Sequence, residues 1–422
     1  MGINMKNLKD VDSEIFQAIE NELQRGRNGL EMIASENYVS KAILEAVGSI
    51  FTNKYSEGYP SKRYYGGNEF VDIVEETARK RACELFGMAH ANVQSHSGST
   101  ANMEAYFALV NLGDPILSMS LDHGGHLTHG HNVSFSGKFY DFHSYPVSKE
   151  TGYIDMDECE RIAKEVKPKI ILAGFSAYPR DLDFKRFKEI ADQVDAILMA
   201  DIAHIAGLVA AKEVSQDPAK YCDVITTTTH KTLRGPRGAM ILATEEYGTK
   251  IDKAVFPGMQ GGPLDHVVAG KAVAFKEAAQ PEFKDYIIQV KKNAQALAES
   301  LTKNGAELCT GGTDNHLVLM DITPFDILGK EAEKILDEVH IFTNKNMIPY
   351  DKSTPFNPSG IRLGTAALTT RGLIESDLTA IGELIVKTLK HPKDKDIHSR
   401  IREDVLQICS KYPLYPDLKL VY

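Results

Sequence analysis

The feature that most constrains the fold is an alternation of short apolar runs with helical patterns between about residue 90 and residue 245. Several runs are apolar throughout, which is typical of strands buried on both faces of a parallel sheet. Two intervening segments, 157–165 and 185–192, have the spacing of amphipathic helices. The pattern predicts an α/β architecture whose central sheet is mostly parallel and flanked by helices, with strands at 115–120, 169–174, 196–200, 223–227 and 238–243.

The chain is expected to divide into three parts, since 422 residues exceed one domain of about 150. Residues 1–52 would form a helical N-terminal arm, with helices at 13–23 and 41–51. Residues 53–280 would form the large α/β domain. Residues 281–422 would form a smaller C-terminal α+β domain, with helices at 286–304, 376–390 and 397–409 and a strand at 316–320. Residues 52–67, rich in Tyr and Gly, predict a long ordered loop, and such loops are usually functional.

Composition excludes several classes of protein. The chain carries 48 Lys and Arg against 58 Asp and Glu, a formal charge of −10, which argues against nucleic acid or an anionic membrane as the main partner. No apolar run approaches the roughly 18 residues of a membrane span, and no signal peptide is visible. Five scattered cysteines without a C-x-x-C pair indicate a reducing compartment and neither a disulfide framework nor a structural zinc site. We therefore expect a cytoplasmic protein.

Two charged residues follow predicted strands. Asp201 comes directly after the strand at 196–200, and Lys231 lies shortly after the strand at 223–227. Ligands of open α/β sheets bind beyond the carboxyl ends of the strands, and a separation of 30 positions fits one parallel crossover. A pyridoxal cofactor needs this pair: a lysine for its aldehyde and an aspartate for its ring nitrogen. The alternatives are a solvated lysine and a helix N-cap at Asp201.

Two further motifs suit anionic groups. Ser97, Gly98 and Ser99 precede a helical pattern at 101–110, which is the arrangement of a phosphate cradle at a helix N-terminus. The alternative is an ordinary capping loop. Arg362, between glycines and apolar residues, is a candidate two-pronged clamp for a carboxylate. The alternative is a surface salt bridge.

Four histidines in one loop raise the question of a metal. His123, His126, His129 and His131 lie among glycines, with Asp122 as their only acidic neighbour. The glycines indicate a loop rather than a helical face with metal-ligand spacing. We expect no metal, and favour either an imidazole laid over a pyridine ring or histidines without a role.

Together these motifs resemble the serine hydroxymethyltransferase (glycine hydroxymethyltransferase) family, pyridoxal-phosphate enzymes of the aspartate-aminotransferase fold, fold type I. The resemblance covers about residues 10–415. It rests on IASEN at 33–37, KYSEGYP at 54–60, KRYYGG at 62–67, GGHLTHG at 124–130, TTTTHKTLRGPRG at 226–238, FPGMQGGP at 256–263 and NKN at 344–346. It implies reversible transfer of the hydroxymethyl carbon of L-serine to tetrahydrofolate through an external aldimine, giving glycine and 5,10-methylenetetrahydrofolate.

The resemblance also implies roles for residues around the cofactor. Lys231 would hold the cofactor aldehyde, with His230 and Thr228 beside it. Asp201 would pair with the ring nitrogen and His126 would stack on the ring. The phosphate would lie on Ser97, Gly98 and Ser99, the phenolic oxygen near Ser176 and His204, and the substrate carboxylate on Arg362 and Ser35, while Arg237 would brace the loop after the lysine.

Other implied roles involve a second subunit and folate. A homodimer with shared sites is expected, in which one subunit supplies Tyr55, Glu57, Tyr65, Gly261 and Gly262 to its neighbour. Glu57 would handle a proton on the hydroxymethyl group or on folate, and with Tyr65 would contact the substrate. Folate would contact Glu57, Tyr64, Leu121, Gly125, His126, Leu127, Asn346, Thr354, Pro355 and Phe356.

The sequence departs from the family pattern at three positions. Ser95 stands where Pro is common, Asp122 where a small neutral residue is frequent, and Thr354 where Ser is usual. None removes a functional group, but Asp122 lies beside the presumed folate loop and bears on folate affinity.

Two rival functions agree less well with the sequence. A folate-independent β-hydroxyamino-acid aldolase on the same scaffold is disfavoured by Glu57, Tyr64 and Asn346. A catalytically silent scaffold is disfavoured by the intact Lys231, Asp201 and Arg362.

Overall fold

The computed structural model describes residues 6–418, and its centre is a seven-stranded sheet. In chain order the strands are β1 (His90–Asn92), β2 (Pro115–Met119), β3 (Asp141–Tyr145), β4 (Ile170–Gly174), β5 (Ile197–Asp201), β6 (Val224–Thr228) and β7 (Ala239–Ala243). Their spatial order is β1-β7-β6-β5-β4-β2-β3. The five strands β2 to β6 run parallel, and β7 is antiparallel to both of its neighbours. The predicted mostly parallel α/β sheet is thus confirmed.

The sheet forms because its central strands have two apolar faces. Ile171, Leu198 and Ile225 belong to one hydrophobic cluster, whereas Met199 and Val224 belong to a second cluster. Neighbouring residues of a strand point to opposite faces, so a continuous apolar run satisfies both clusters. Every residue of β4, β6 and β7 is buried.

Helices cover the sheet and make up much of the rest of the described chain. The helices are α1 (Leu8–Val11), α2 (Ser13–Arg27), α3 (Lys41–Val47), α4 (Glu69–Phe86), α5 (Gly98–Leu109), α6 (Phe135–Phe139), α7 (Met156–Val166), α8 (Phe184–Gln193), α9 (Ala206–Ala210), α10 (Glu245–Lys253), α11 (Asp265–Ala278), α12 (Pro281–Lys303), α13 (Gly329–Glu338), α14 (Ala366–Arg371), α15 (Glu375–Lys390) and α16 (Lys395–Lys411). Among residues 6–418, no helix combines the length and apolar character needed to cross a membrane.

A second sheet lies in the C-terminal part. Its strands β8 (Glu307–Leu308), β9 (Leu317–Asp321), β10 (Asn344–Asn346) and β11 (Gly360–Gly364) are ordered β8-β9-β11-β10 and are all antiparallel. The N-terminal segment joins this part, because Leu30–Glu31 pairs with Ile341–Phe342. Leu30 and Met32 pack in its hydrophobic cluster. The three-part division remains a prediction, and its outer ends, residues 1–5 and 419–422, lie outside the described residues.

Several local predictions need correction. The helix expected over 41–51 ends at Val47, where Gly48 follows, and a separate 3₁₀ turn spans Ile50–Asn53. Ile50 is 82% exposed and does not share a buried face with Ile43. The loop at 52–67 contains a small hairpin between Gly58–Tyr59 and Lys62–Arg63. In the large sheet two strands went unpredicted, because β1 is only three residues long and the edge strand β3 is polar. In the second sheet β8, β10 and β11 also went unpredicted, because they are short, polar or bounded by glycines.

Gly364 yields a stability prediction. A Cβ there would lie 2.4 Å from Ala34 Cα, a backbone atom that cannot rotate away. We expect Gly364→Ala to lower the free energy of unfolding by about 1–3 kcal/mol, as overpacking does. Gly66→Ala is the matched control, because no atom lies within 4 Å of its added Cβ. Denaturant titration of the two variants should separate them; equal stability would contradict the close approach of β11 to residue 34.

Candidate active site

A cavity of about 370 Å³ opens at the carboxyl edge of the large sheet. It gathers most of the residues singled out for the cofactor and the substrate. Its lining comprises Ser35, Glu36, Ser97, Gly98, Ser99, Asn102, His126, Phe175, Ser176, Asp201, Ala203, His204, Thr228, His230, Lys231, Arg237 and Arg362. Residues more than 300 positions apart in sequence therefore converge on one chamber.

Parallel pairing brings Asp201 and Lys231 together. Strands β5 and β6 are neighbours, with Asp201 paired to Thr226, and Lys231 follows the end of β6 by three residues. Asp201 is 8% exposed and Lys231 is 9% exposed. The solvated-lysine alternative is therefore wrong, because the side chain is buried in the cavity wall.

Three donors hold the Asp201 carboxylate. Asn102 Nδ2 donates to Oδ2 at 2.9 Å, His129 Nε2 lies 3.0 Å from Oδ2, and the Ala203 N–H donates to Oδ1 at 3.1 Å. Burial alone raises the pKa of Asp201, but the hydrogen bond and charge of His129 outweigh it and hold that pKa below its ordinary value. The carboxylate stays ionised at neutral pH and suits a cationic partner.

The loop histidines do not converge on a metal. His126 Nδ1 lies 2.8 Å from Thr128 Oγ1, His129 bonds Asp201, and the His123 ring packs 4.7 Å from the ring of Tyr350. Within residues 6–418 no group of three or more His, Cys, Asp or Glu side chains has the geometry to hold a metal ion. Burial lowers the pKa of His126 to about 4, so this cavity-lining imidazole is neutral and its face suits an aromatic ring.

The cradle lies at the N-terminus of α5. Ser97 is its N-cap and accepts a hydrogen bond from the Thr100 N–H at 3.3 Å, so the capping alternative is also true. The first N–H groups of a helix have no intrahelical acceptors and attract anions. A Cβ on Gly98 would lie 2.7 Å from Thr228 Cγ2, so glycine is required for the close approach to the end of β6. These features fit a phosphate.

Arg362 reaches the cavity from the second sheet. It lies on β11 and is 7% exposed. Its guanidinium donates to Ser176 O at 2.6 Å, to Ser176 Oγ at 3.2 Å and to Asn344 Oδ1 at 3.2 Å, all uncharged acceptors. Burial lowers the pKa of Arg362 to about 10, with no opposing contribution from a carboxylate of the described chain. The surface-salt-bridge alternative is wrong, and a buried cation remains for an anionic ligand.

Lys231 and its neighbour His230 both have lowered pKa values because they are buried. Burial lowers the pKa of Lys231 to about 8, although the charge of Asp201 opposes the effect. His230 Nδ1 is buried and has no partner among residues 6–418, and burial lowers the His230 pKa to about 3. The cavity therefore presents a poised amine beside an arginine that lacks an anion.

Sequence reasoning missed several residues of this site. Asn102 Nδ2 bonds both Thr128 Oγ1 and Asp201, and its Oδ1 accepts from Thr226 Oγ1 at 2.6 Å. The Nε2 atom of His316 lies 3.3 Å from the Nδ1 atom of His204. Asn102 had a detectable signal, because it is a polar residue in the first turns of the helix that follows the predicted cradle. His316 had none, because its partner lies 112 positions away.

The residues expected to serve a second subunit lie outside the cavity in a separate cluster. Tyr65 donates to Glu57 Oε2 at 3.4 Å, and its ring meets that of Tyr55 edge-on at 5.4 Å. A Cβ on Gly261 would lie 3.0 Å from Glu57 Oε1, and one on Gly262 would lie 3.6 Å from the Tyr55 ring. The charge of Glu57 raises the pKa of Tyr55, and both tyrosines are at least half exposed.

The residues expected to contact folate are spread more widely. Leu121 and Pro355 line a second cavity of about 270 Å³ together with Asp122. Asn346 Nδ2 donates to Met347 O, and Gly125 N donates to Ser120 O. Tyr64 is 73% exposed and Phe356 is 88% exposed. Leu127 is also exposed and Thr354 bridges to Asn357, so only His126 of the predicted folate set lines the main cavity.

A buried lysine and an ionised aspartate at the carboxyl edge of a mostly parallel sheet, beside a phosphate cradle, define a fold type I pyridoxal-phosphate enzyme. Comparison with known proteins is more specific. The model of the family "Serine hydroxymethyltransferase" matches residues 8–385. A serine hydroxymethyltransferase from Koribacter versatilis (strain Ellin345) is 56% identical over 412 residues, covering 98% of this chain and 96% of that protein. The chain belongs to the serine hydroxymethyltransferase family.

The lowered pKa of Lys231 can be tested on the ligand-free protein. We expect aldehyde labelling of Lys231 to rise through about pH 8, whereas lysine in the denatured chain titrates near ~10.4. The sign follows from burial, which favours the neutral amine. Asp201→Asn should move the Lys231 transition to lower pH, because the carboxylate charge raises this pKa. Mass spectrometry of the labelled peptide reports both values, and a transition near 10 in the folded protein would contradict the argument.

Proposed function

We propose that this chain catalyses the reversible transfer of the hydroxymethyl group of L-serine to tetrahydrofolate, giving glycine and 5,10-methylenetetrahydrofolate. Its family uses pyridoxal phosphate and tetrahydrofolate. The observation that carries the proposal is the joint burial of Lys231, Asp201 and Arg362 in one cavity. These groups match an aldehyde, a protonated ring nitrogen and a substrate carboxylate.

The free state of all five cysteines supports a cytoplasmic location.

Pyridoxal phosphate, when bound, supplies a conjugated ring that accepts the electrons released when a bond to the substrate α-carbon breaks. Lys231 would hold the cofactor, since its lowered pKa leaves part of the amine neutral and nucleophilic near neutral pH. Asp201 would keep a proton on the ring nitrogen. Ser97, Gly98 and Ser99 would receive the phosphate.

The chain's residues would then orient the substrate and exclude water. Arg362, joined by Ser35, would bind the carboxylate and thereby select which α-carbon bond stands perpendicular to the ring. His126 would cover one ring face as a neutral imidazole. Ser176 and His204 would lie on the phenolic side. His230, Thr228 and Arg237 would shape the wall around the lysine.

The cluster of Tyr55, Glu57 and Tyr65 would complete the cavity of a second copy. Glu57 and Tyr55 lie beside Gly261 and Gly262, and none of the three residues lines the cavity of its own chain. Glu57 would move a proton at the hydroxymethyl oxygen or on folate. Tyr64, Leu121, Gly125, Leu127, Asn346 and residues 354–356 would contact folate from the loops around the cavity mouth.

The experiment that tests the function measures glycine formation from serine with and without tetrahydrofolate. We expect turnover that depends on folate, and folate-independent cleavage at the same rate would indicate an aldolase instead. Lys231→Ala should lose turnover and the visible absorbance of lysine-bound cofactor, while the remaining anchors should still bind the cofactor. An alanine variant that keeps both would contradict the role of Lys231.

Arg362 yields a prediction for substrate affinity. Removing one member of a buried, hydrogen-bonded charge pair costs on the order of 2–5 kcal/mol, and 3 kcal/mol is about 100-fold in affinity. We expect Arg362→Ala to weaken serine and glycine binding by about that factor. Arg362→Lys should weaken it somewhat less, because it keeps the charge but loses the two-pronged geometry.

The control ligand is an amino alcohol that lacks the carboxylate. Wild-type protein should strongly prefer serine over it in a spectroscopic titration, and Arg362→Ala should lose most of that preference. An unchanged preference would assign the carboxylate to another residue.

Shared sites yield a prediction for mixed dimers. Glu57→Gln and Lys231→Ala subunits should each be inactive alone. Their heterodimer has one site with Lys231 from one chain and Glu57 from the other, so activity should return at one of its two sites. Absence of recovery in heterodimers verified by mass spectrometry would show that each chain completes its own site.

A further inference from the structure

Lys271, on α11, is a buried charged residue that no part of the proposed reaction uses. It is 1% exposed and lies behind the cradle. Its Nζ donates to the carbonyl oxygens of Val93 at 2.6 Å, Ala239 at 2.7 Å and Ser95 at 3.0 Å. An ammonium group has three N–H donors and no acceptor, so the three carbonyl oxygens satisfy all of its hydrogen-bonding capacity.

The three carbonyls lie where two strands separate. Pairing of β1 with β7 ends at Asn92 and Ile241. Beyond that pair one chain leads to the cradle at Ser97, and the other leads back towards the loop that carries Lys231. Buried carbonyls without partners are costly, and Lys271 adds donors here to the Ala239 N–H, which itself donates to Ser95 O at 3.2 Å. The Lys271 ammonium therefore ties together the backbone segments that carry the cradle and the lysine loop.

The surroundings of Lys271 are built for a cation. Glu104 on α5 and Glu75 on α4 face it, and Ser95 Oγ donates to Glu104 Oε2. Burial lowers the pKa of Lys271 to about 7, while the two carboxylates raise it. Burial also raises the pKa of Glu104 to about 7. A buried ion of this kind is costly unless it is fully hydrogen-bonded, as it is here.

Gly238 and Gln260 contribute to the same arrangement of the backbone before the cradle. A Cβ on Gly238 would lie 2.6 Å from Lys271 Cε, so glycine at 238 leaves room for the lysine stem. Gln260 bonds the backbone of residues 94–96 through both ends of its side-chain amide. Its Oε1 accepts from His96 N at 3.0 Å, and its Nε2 donates to Gln94 O at 2.9 Å. Lys271, Gln260 and the backbone N–H of Ala239 therefore fix the backbone that enters the cradle.

We propose that Lys271 is a positioning residue that, with Gln260, aligns the backbone of the cradle for the phosphate of the cofactor. The inference rests on the proposed function, because it takes Ser97, Gly98 and Ser99 to bind that phosphate. Lys271 touches neither cofactor nor substrate and acts through the backbone of residues 93–96.

The test compares pyridoxal phosphate with pyridoxal, which lacks the phosphate, in titrations of the full-length protein stripped of cofactor. Lys271→Met keeps the length of the side chain and removes the ammonium. We expect its affinity for pyridoxal phosphate to fall by on the order of tenfold to a hundredfold, the loss expected when a hydrogen bond from the cradle to the charged phosphate is weakened. Affinity for pyridoxal, which the cradle does not hold, should change much less. Lys276→Met, at an exposed position of the same helix, is the matched control and should behave as wild type.

The possible outcomes distinguish an error in the role of Lys271 from an error in the proposed function. Equal losses for both ligands would show a merely structural role and overturn the inference, as would an unchanged preference for the phosphorylated form. If Lys271→Met fails to fold, Gln260→Met carries the same test, because it releases Gln94 and His96 while leaving the ammonium in place. A wild-type protein without any preference for pyridoxal phosphate would instead contradict the proposed function.

Discussion

The rest of the site is arranged around the hydrogen bonds that hold the buried Asp201 carboxylate. It is buried at the end of a central strand and is held by Asn102, His129 and the Ala203 N–H. A buried carboxylate needs such donors, because low polarity otherwise drives it to its neutral form. Each donor comes from a different element, namely α5, the histidine loop and the turn after β5. Keeping this one group ionised therefore fixes the relative positions of three segments of chain.

The cations of the cavity complement that arrangement. Asp201 is the main opposing charge for Lys231, whereas Arg362 is bonded only to uncharged oxygens. Buried charges without counter-ions are unfavourable, so the protein spends folding stability to keep this guanidinium ready for a ligand. Arg362 comes from the second sheet and bonds Ser176, which follows β4 of the first. The two sheets thus meet at the point where a substrate carboxylate would bind.

Local and global charge differ in this protein. The chain as a whole carries a formal charge of −10, yet in the lining of its main cavity three cations, Lys231, Arg237 and Arg362, outnumber the two carboxylates of Glu36 and Asp201. Short-range donors and burial decide ligand recognition there, because distant surface charges are screened by solvent and salt. The cluster of Tyr55, Glu57 and Tyr65 instead carries a carboxylate, and its two tyrosines are at least half exposed.

Sequence by itself determined much of this structure. Apolar runs located β2, β4, β5, β6 and β7 to within about two residues, because a strand buried on both faces leaves no other pattern. Crossover spacing indicated that Asp201 and Lys231 would be neighbours. Local pattern missed β1, β3, β8, β10 and β11, which are too short, too polar or too rich in glycine to be distinguished from loops. It also misjudged the end of α3.

Only the tertiary structure decided the supporting contacts. Asn102 bonds a carboxylate 99 positions away, and Lys271 gathers carbonyls up to 178 positions away. Such contacts depend on how α5 and α11 pack against the sheet, and a single sequence records no distance between them. The absence of an anion beside Arg362 is likewise a property of packing, since 58 acidic residues were available and the fold placed none of those it describes in an ion pair with it.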